Sequence, residues 1–104
     1  MSRVSRAIVE GQNMAYFVYM IGNTYNNLYV GVSYRPELRL KEHNSRRGSV
    51  FTKSGDYRIV FKEEYKTLSE ARKREIQIKK WSRKKKNDLI KIYEQGLPTK
   101  LTKP

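Results

Sequence analysis

Tyr29-Val30-Gly31-Val32-Ser33-Tyr34-Arg35-Pro36-Glu37-Leu38-Arg39-Leu40-Lys41-Glu42-His43 joins two kinds of sequence pattern. A branched, aromatic run gives way at Pro36 to a helix-forming segment. Proline suits the first turn of a helix, where a missing N–H costs nothing. A short strand therefore runs directly into a helix. Arg39 and His43 stand four apart and share a helical face. Leu40 lies on that face too, so Arg39 and His43 flank the contact surface rather than the far, solvated side. Tyr29 on the strand brings a third polar group to the same corner. Together these groups are able to hold a phosphate and handle its protons. The plainer alternative is a strand–helix corner with an exposed arginine and a surface histidine, and this stretch alone does not exclude it.

Toward the N-terminus, Tyr16-Phe17-Val18-Tyr19-Met20-Ile21 is aromatic and branched throughout and reads as a strand. Gly22 to Asn27 is rich in turn formers. Leu28 to Val32 is a second strand, so the two should form a hairpin. Phe17, Tyr19 and Ile21 share one face of the first strand; Tyr29 and Gly31 share one face of the second. Gly31 leaves a gap that a neighbour's backbone or a ligand can approach closely. Ordinary sheet aromatics would also account for Tyr19 and Tyr29. Residues 1–13 are polar, basic and aperiodic. They read as a flexible arm or an upstream extension, with Met14 able to serve as a first residue.

Toward the C-terminus, the helix from Pro36 should run to about Arg46 and end in Arg46-Arg47-Gly48-Ser49, with a loop from Ser49 to Asp56. Arg58 to Tyr65 reads as a third strand, whose apolar centre suggests the middle of the sheet. A second helix should span Ser69 to Lys80. At about 100° per residue, Leu68, Ala71, Glu75 and Ile78 fall within about 80° of one another. Glu75 thus sits inside the apolar stripe, where a carboxylate is costly unless paired with a cation or a metal. It is either a buried ion pair with Arg39 or another base, or a metal ligand. Ser82 is placed to cap a third helix from Arg83 to about Glu94, packed through Leu89, Ile90 and Tyr93. Gln95-Gly96-Leu97-Pro98 stops it. The expected layout is a domain over 14–96 and a loose tail over 97–104. The fold class is α+β: a three-stranded antiparallel sheet flanked by about three helices.

Composition bounds the function. A chain of 104 residues holds one small core. Its 23 Lys and Arg against 10 Asp and Glu give a formal charge of +13, which points to a polyanion, most often nucleic acid. Residues 66–91 hold 11 basic and 3 acidic side chains, a net of +8, so the surplus gathers in the last two helices. Arg83-Lys84-Lys85-Lys86 crowd a helix N-terminus, where the helix dipole favours anions instead. Phosphates nearby would make sense of that. A solvated charged face explains so dense a cluster less well. A membrane surface also fits less well, because no basic segment carries a bulky apolar face. No apolar run approaches the roughly 18 residues that cross a bilayer, and residues 1–13 show no signal-peptide pattern. With no cysteine, disulfides and thiolate metal sites are excluded, and a cytoplasmic protein is expected.

From about Ala15 to Ile92 the chain resembles the GIY-YIG nuclease superfamily. It is most similar to small stand-alone bacterial members related to the catalytic module of the repair excinuclease. Phe17-Val18-Tyr19 stands at the family's first triplet and Tyr29-Val30-Gly31 at the second. Arg39 and His43 occupy the family's helix positions. Arg74 to Arg83 resembles the stretch that carries its metal-binding glutamate, here Glu75. The chain departs from the pattern in places. The first triplet lacks its glycine. Ser33 stands where many members have threonine, and Val32 where longer relatives often place lysine. Asn87 matches poorly the asparagine that assists the site in some members.

The resemblance implies a Mg²⁺- or Mn²⁺-dependent endonuclease acting on DNA, in repair or recombination. It would be a monomer, with no membrane partner and no organic cofactor. Glu75 would hold the metal, and Arg39 the non-bridging phosphate oxygens. Tyr29 would be the general base, and Tyr19 and His43 would orient water or relay the proton. Phenols ordinarily titrate near pH 10, so the site would have to favour phenolate. Arg72, Lys73, Lys79, Lys80, Arg83, Lys84, Lys85 and Lys86 would grip backbone phosphates. The alternatives are a non-catalytic nucleic-acid-binding domain on the same fold and a small basic ribosome-associated protein. Neither gives a reason to keep Tyr19, Tyr29, Arg39, His43 and Glu75 together.

Overall fold

Strands rich in aromatic and branched residues form the expected hairpin. In the computed structural model, which describes residues 15–48 and 56–100, β1 spans Tyr16–Gly22 and β2 spans Leu28–Ser33. They pair antiparallel, with Tyr19 opposite Gly31 and Ile21 opposite Tyr29. Asn23 shapes the turn: its side-chain oxygen accepts from the N–H groups of Tyr25 and Asn27 at 3.1 and 3.0 Å. Asn26 sits there at φ 67°, a left-handed conformation that asparagine tolerates better than most residues.

β3, Arg58–Tyr65, pairs antiparallel with the other side of β1, so the sheet order is β2-β1-β3. The middle strand is therefore β1, which corrects the reading of β3 from its apolar centre. Ile59 packs on one face of the sheet while Val60 and Phe61 pack on the other. An edge strand covered on both faces needs as apolar a centre as a middle strand does.

Three helices complete the domain: α1 over Pro36–Gly48, α2 over Leu68–Lys79 and α3 over Arg83–Glu94. Leu40 of α1 packs with Tyr19, Ile21, Tyr57 and Ile59 against one face. On the other face Val18, Met20, Val30 and Phe61 meet Ala71, Ile78, Trp81 and Leu89. The sheet is thus the middle of three layers. Thr67 caps α2 by accepting from the Glu70 N–H, and Ser82 caps α3 by accepting from the Lys85 N–H, each at 3.1 Å. Ile90 and Tyr93 pack beside Leu89 as expected. Leu68 departs from the expected stripe and is 41% exposed. Arg74, which the wheel left outside that stripe, is buried.

Arg74 has a reason to be there. It makes a two-pronged ion pair with Glu63 of β3, Nε to Oε1 at 2.8 Å and Nη2 to Oε2 at 3.1 Å. It also donates to Gln77 and to the carbonyl of Thr99, the latter at 3.0 Å. The Tyr65 hydroxyl donates to Glu63 at 2.8 Å. The network ties β3, α2 and the segment after α3 together, and Thr99 is buried in it. Among the described residues no helix is long and apolar enough to cross a membrane. The expected arm over 1–13, most of the expected loop (49–55) and residues 101–104 lie outside the described residues.

Candidate active site

The site is built around Tyr19. The strand alternation turns its ring to the α1 face, and Gly31 opposite it on β2 gives the ring room. A Cβ at position 31 would stand 2.8 Å from the Tyr19 hydroxyl oxygen and 2.9 Å from Cζ. Gly31 is therefore required by a side chain of the same protein. Tyr19 is only 4% exposed. Burial, and after it the neighbouring Tyr29 phenol, push the Tyr19 hydroxyl above the ordinary tyrosine range. The charge and hydrogen bonding of the Arg39 guanidinium pull the other way, and Glu75 adds a smaller upward push. Tyr29, Arg39 and Glu75, from β2, α1 and α2, thus all lie close enough to act on one phenol.

His43 joins this group through Tyr29. The two rings stack with centroids 5.9 Å apart and planes 30° apart. Tyr57 meets His43 edge-on at 4.6 Å. Asn44 holds Tyr57 in place: it accepts from the Tyr57 N–H at 2.8 Å and donates to its carbonyl at 2.9 Å. Tyr29 is 51% exposed, whereas Tyr19 is enclosed. The two phenols therefore differ in their access to water.

Glu75 projects from α2 where the apolar stripe placed it and is 8% exposed. Its partners are cations on its own helix: Arg72 Nη1 at 3.5 Å and Lys79 Nζ at 3.2 Å. Arg39 pairs instead with Glu42 of its own helix at 3.4 Å. Among the described residues no three His, Asp or Glu side chains converge as a ready-made metal cage. A single hard carboxylate still fits Mg²⁺, which is bound through one or two carboxylates, with waters and substrate phosphate oxygens filling the remaining positions.

The basic residues read from the sequence have different surroundings. Lys73 is exposed on α2, and Lys80 is exposed at its C-terminal cap. Lys84 pairs with Asp88 at 3.2 Å, and Lys86 is half-buried. Lys85 lies 4.8 Å over the Trp81 ring. Arg83 reaches the hairpin turn and donates to the carbonyl and the side-chain oxygen of Asn26 at 2.7 and 2.8 Å. Asn87 accepts from Arg83 at 3.3 Å and lines a cleft of about 190 Å³ at that turn. Sequence reasoning missed Tyr57 and Asn44, which support His43. A tyrosine directly before the third strand was the available signal, but nothing local tied it to α1.

A groove of about 540 Å³ runs beside the site. Tyr34, Arg35, Leu38 and Leu68 line it, together with Arg39 and Arg72.

The GIY-YIG catalytic domain model matches residues 15–88. A UPF0213 protein of Staphylococcus aureus is 38% identical over 78 residues, covering 74% of this chain and 95% of the relative. A UPF0213 protein from a second strain of that organism matches to the same extent. The solution NMR structure of the UPF0213 protein from Bacillus halodurans aligns with a TM-score of 0.51 and 29% identity. That alignment covers 88% of this chain and all of the other.

Proposed function

The chain belongs to the GIY-YIG family, and we propose that it is an endonuclease that hydrolyses phosphodiester bonds in DNA. One arrangement carries the proposal: Tyr19 is enclosed with its hydroxyl against Gly31 of β2, Tyr29 of the same strand stacks on His43 of α1, and α2 holds the Glu75 carboxylate inward. Motif order and spacing support kinship with the catalytic module of the repair excinuclease, and with it a part in DNA repair.

In this reading Arg39 holds the non-bridging oxygens of the scissile phosphate as charge builds there. Tyr29, the more exposed phenol, would first release its own proton to solvent and then, as the phenolate, take one from the attacking water. His43, stacked on it, orients that water or relays the proton. Tyr19, enclosed and hydrogen-bonded by Arg39, joins His43 in that role. A divalent cation, Mg²⁺ or Mn²⁺, held at Glu75 would supply charge neutralisation at the phosphate and the leaving 3′ oxygen. The products are a 5′-phosphate and a 3′-hydroxyl, with one strand cut per monomer. Arg72, Lys73, Lys79 and Lys80, with Lys84, Lys85 and Lys86, grip backbone phosphates, so binding weakens steeply with salt.

Nicking of supercoiled plasmid tests this, with Mg²⁺ or Mn²⁺ and with chelator, for wild type beside Glu75→Ala. Metal-dependent conversion to open circles should be lost in the variant, with DNA binding kept or tightened. Equal cutting by both proteins would refute the assignment of Glu75. A non-catalytic nucleic-acid-binding domain has one observation in its favour: Arg72 and Lys79 already satisfy Glu75. Tight, salt-sensitive binding without metal-dependent cutting of plasmid, branched or damaged DNA would select it.

A further inference from the structure

The pairing of Glu75 poses a problem for the site. A carboxylate 8% exposed and flanked by two cations at 3.5 and 3.2 Å is well satisfied without any metal. Both cations stand close to where a divalent cation would sit, and like charges repel. The free protein should therefore hold such an ion poorly. The same two side chains are 59% and 53% exposed. They are long and flexible, with their charged heads open to a ligand in solvent. Arg72 also lines the groove that contains Arg39, so a phosphate held at Arg39 lies within its neighbourhood.

We propose that Arg72 and Lys79 gate Glu75. In the free protein they close its carboxylate as a double ion pair, and nucleic-acid phosphates draw them off and open it to a divalent cation. This rests on the nuclease reading and extends it to regulation of the same site. Phosphates compete well for these cations, because Arg and Lys make charge-assisted bonds to them. Metal and nucleic acid then bind cooperatively, and by linkage each raises the affinity for the other equally. The device would hold back metal-dependent chemistry until a polyanion lies across α2.

The test uses Mn²⁺ alone, without nucleic acid, with the free ion measured by EPR on the full chain. Wild type should bind weakly. Arg72→Gln/Lys79→Gln should bind at least about tenfold tighter, within the usual range of site-to-site coupling. Adding Glu75→Gln should abolish that gain. Arg72→Lys/Lys79→Arg keeps both charges and should stay as weak as wild type. Lys66→Gln/Lys91→Gln removes two exposed charges elsewhere and should change nothing, which separates the local pairing from net charge. Circular dichroism confirms that each variant is folded. Unchanged or weaker Mn²⁺ binding in the folded Gln/Gln variant, still sensitive to Glu75→Gln, would overturn the gate and leave the nuclease reading standing. Mn²⁺ binding indifferent to Glu75→Gln in every background would overturn both.

Discussion

Tyr19 and Gly31 face each other across the β1–β2 ladder, and the tyrosine ring occupies the space a side chain at 31 would need. Gly31→Ala therefore drives a methyl group into a ring that is itself enclosed. Overpacking of this kind costs about 1–3 kcal/mol. The variant should melt a few degrees lower and nick plasmid at least about tenfold more slowly, because Tyr19 sits among the groups that would handle the phosphate. Normal nicking by Gly31→Ala would show that the position of Tyr19 does not matter.

Arg74 and Glu63 are the one ion pair among the described residues in which both side chains are nearly fully buried. Removing one partner strands the other. Arg74→Met should cost about 3–5 kcal/mol, read as a lower urea midpoint. Arg74→Met/Glu63→Leu should recover much of that loss, since neither charge then remains. Failure of the double variant to recover would put the cost in the bonds from Arg74 to Gln77 and Thr99.

Tyr19 and Tyr65 both titrate above the ordinary tyrosine range. For Tyr65 burial is the largest cause, followed by its hydrogen bond to the Glu63 carboxylate; for Tyr19 it is burial, then Tyr29. Folded-state values above the unfolded value mean that the stabilisation is fully present below about pH 10. It is lost as pH climbs from there through the folded values. Melting temperature should thus fall as pH rises above about 10, and less steeply in Tyr65→Phe. An identical slope in the variant would remove Tyr65 from this account.

Arg83 spends its guanidinium on the hairpin turn at Asn26, whereas Lys84 is exposed and pairs only within its helix. Arg83→Ala should destabilise by about 1.5–3 kcal/mol, the range for hydrogen bonds to a charged group. Lys84→Ala should leave the melting temperature alone and reduce the salt dependence of DNA binding by about one unit of slope. Thermal melts and binding at several salt concentrations separate the two. The reverse pattern would make Arg83 a phosphate ligand and Lys84 a structural residue.

Local signals carried much of the outline. Pro36 opening a helix, Ser82 capping one, the unbroken aromatic and apolar run of β1 and the stripe through Ala71, Glu75 and Ile78 are all local features of the chain. They therefore follow from backbone geometry alone. Glu75 was visible as an inward carboxylate for the same reason. Its partners Arg72 and Lys79 stand three and four residues away on the same helix, a spacing the sequence also held; only the placement of α1 decided that Arg39 pairs with Glu42 instead.

The sequence by itself determined which residues form strands and helices, and which face of each is apolar, since those depend on periods of two and 3.6 residues. Only the tertiary structure decided what lies across from what. It made β3 an edge strand, set Gly31 under the Tyr19 ring and paired Arg74 with Glu63 and Thr99. It also sent Arg83 to Asn26. Each of these joins residues far apart in the chain. Periodicity says that a side chain points inward, but it holds no information about which distant partner will be there to meet it.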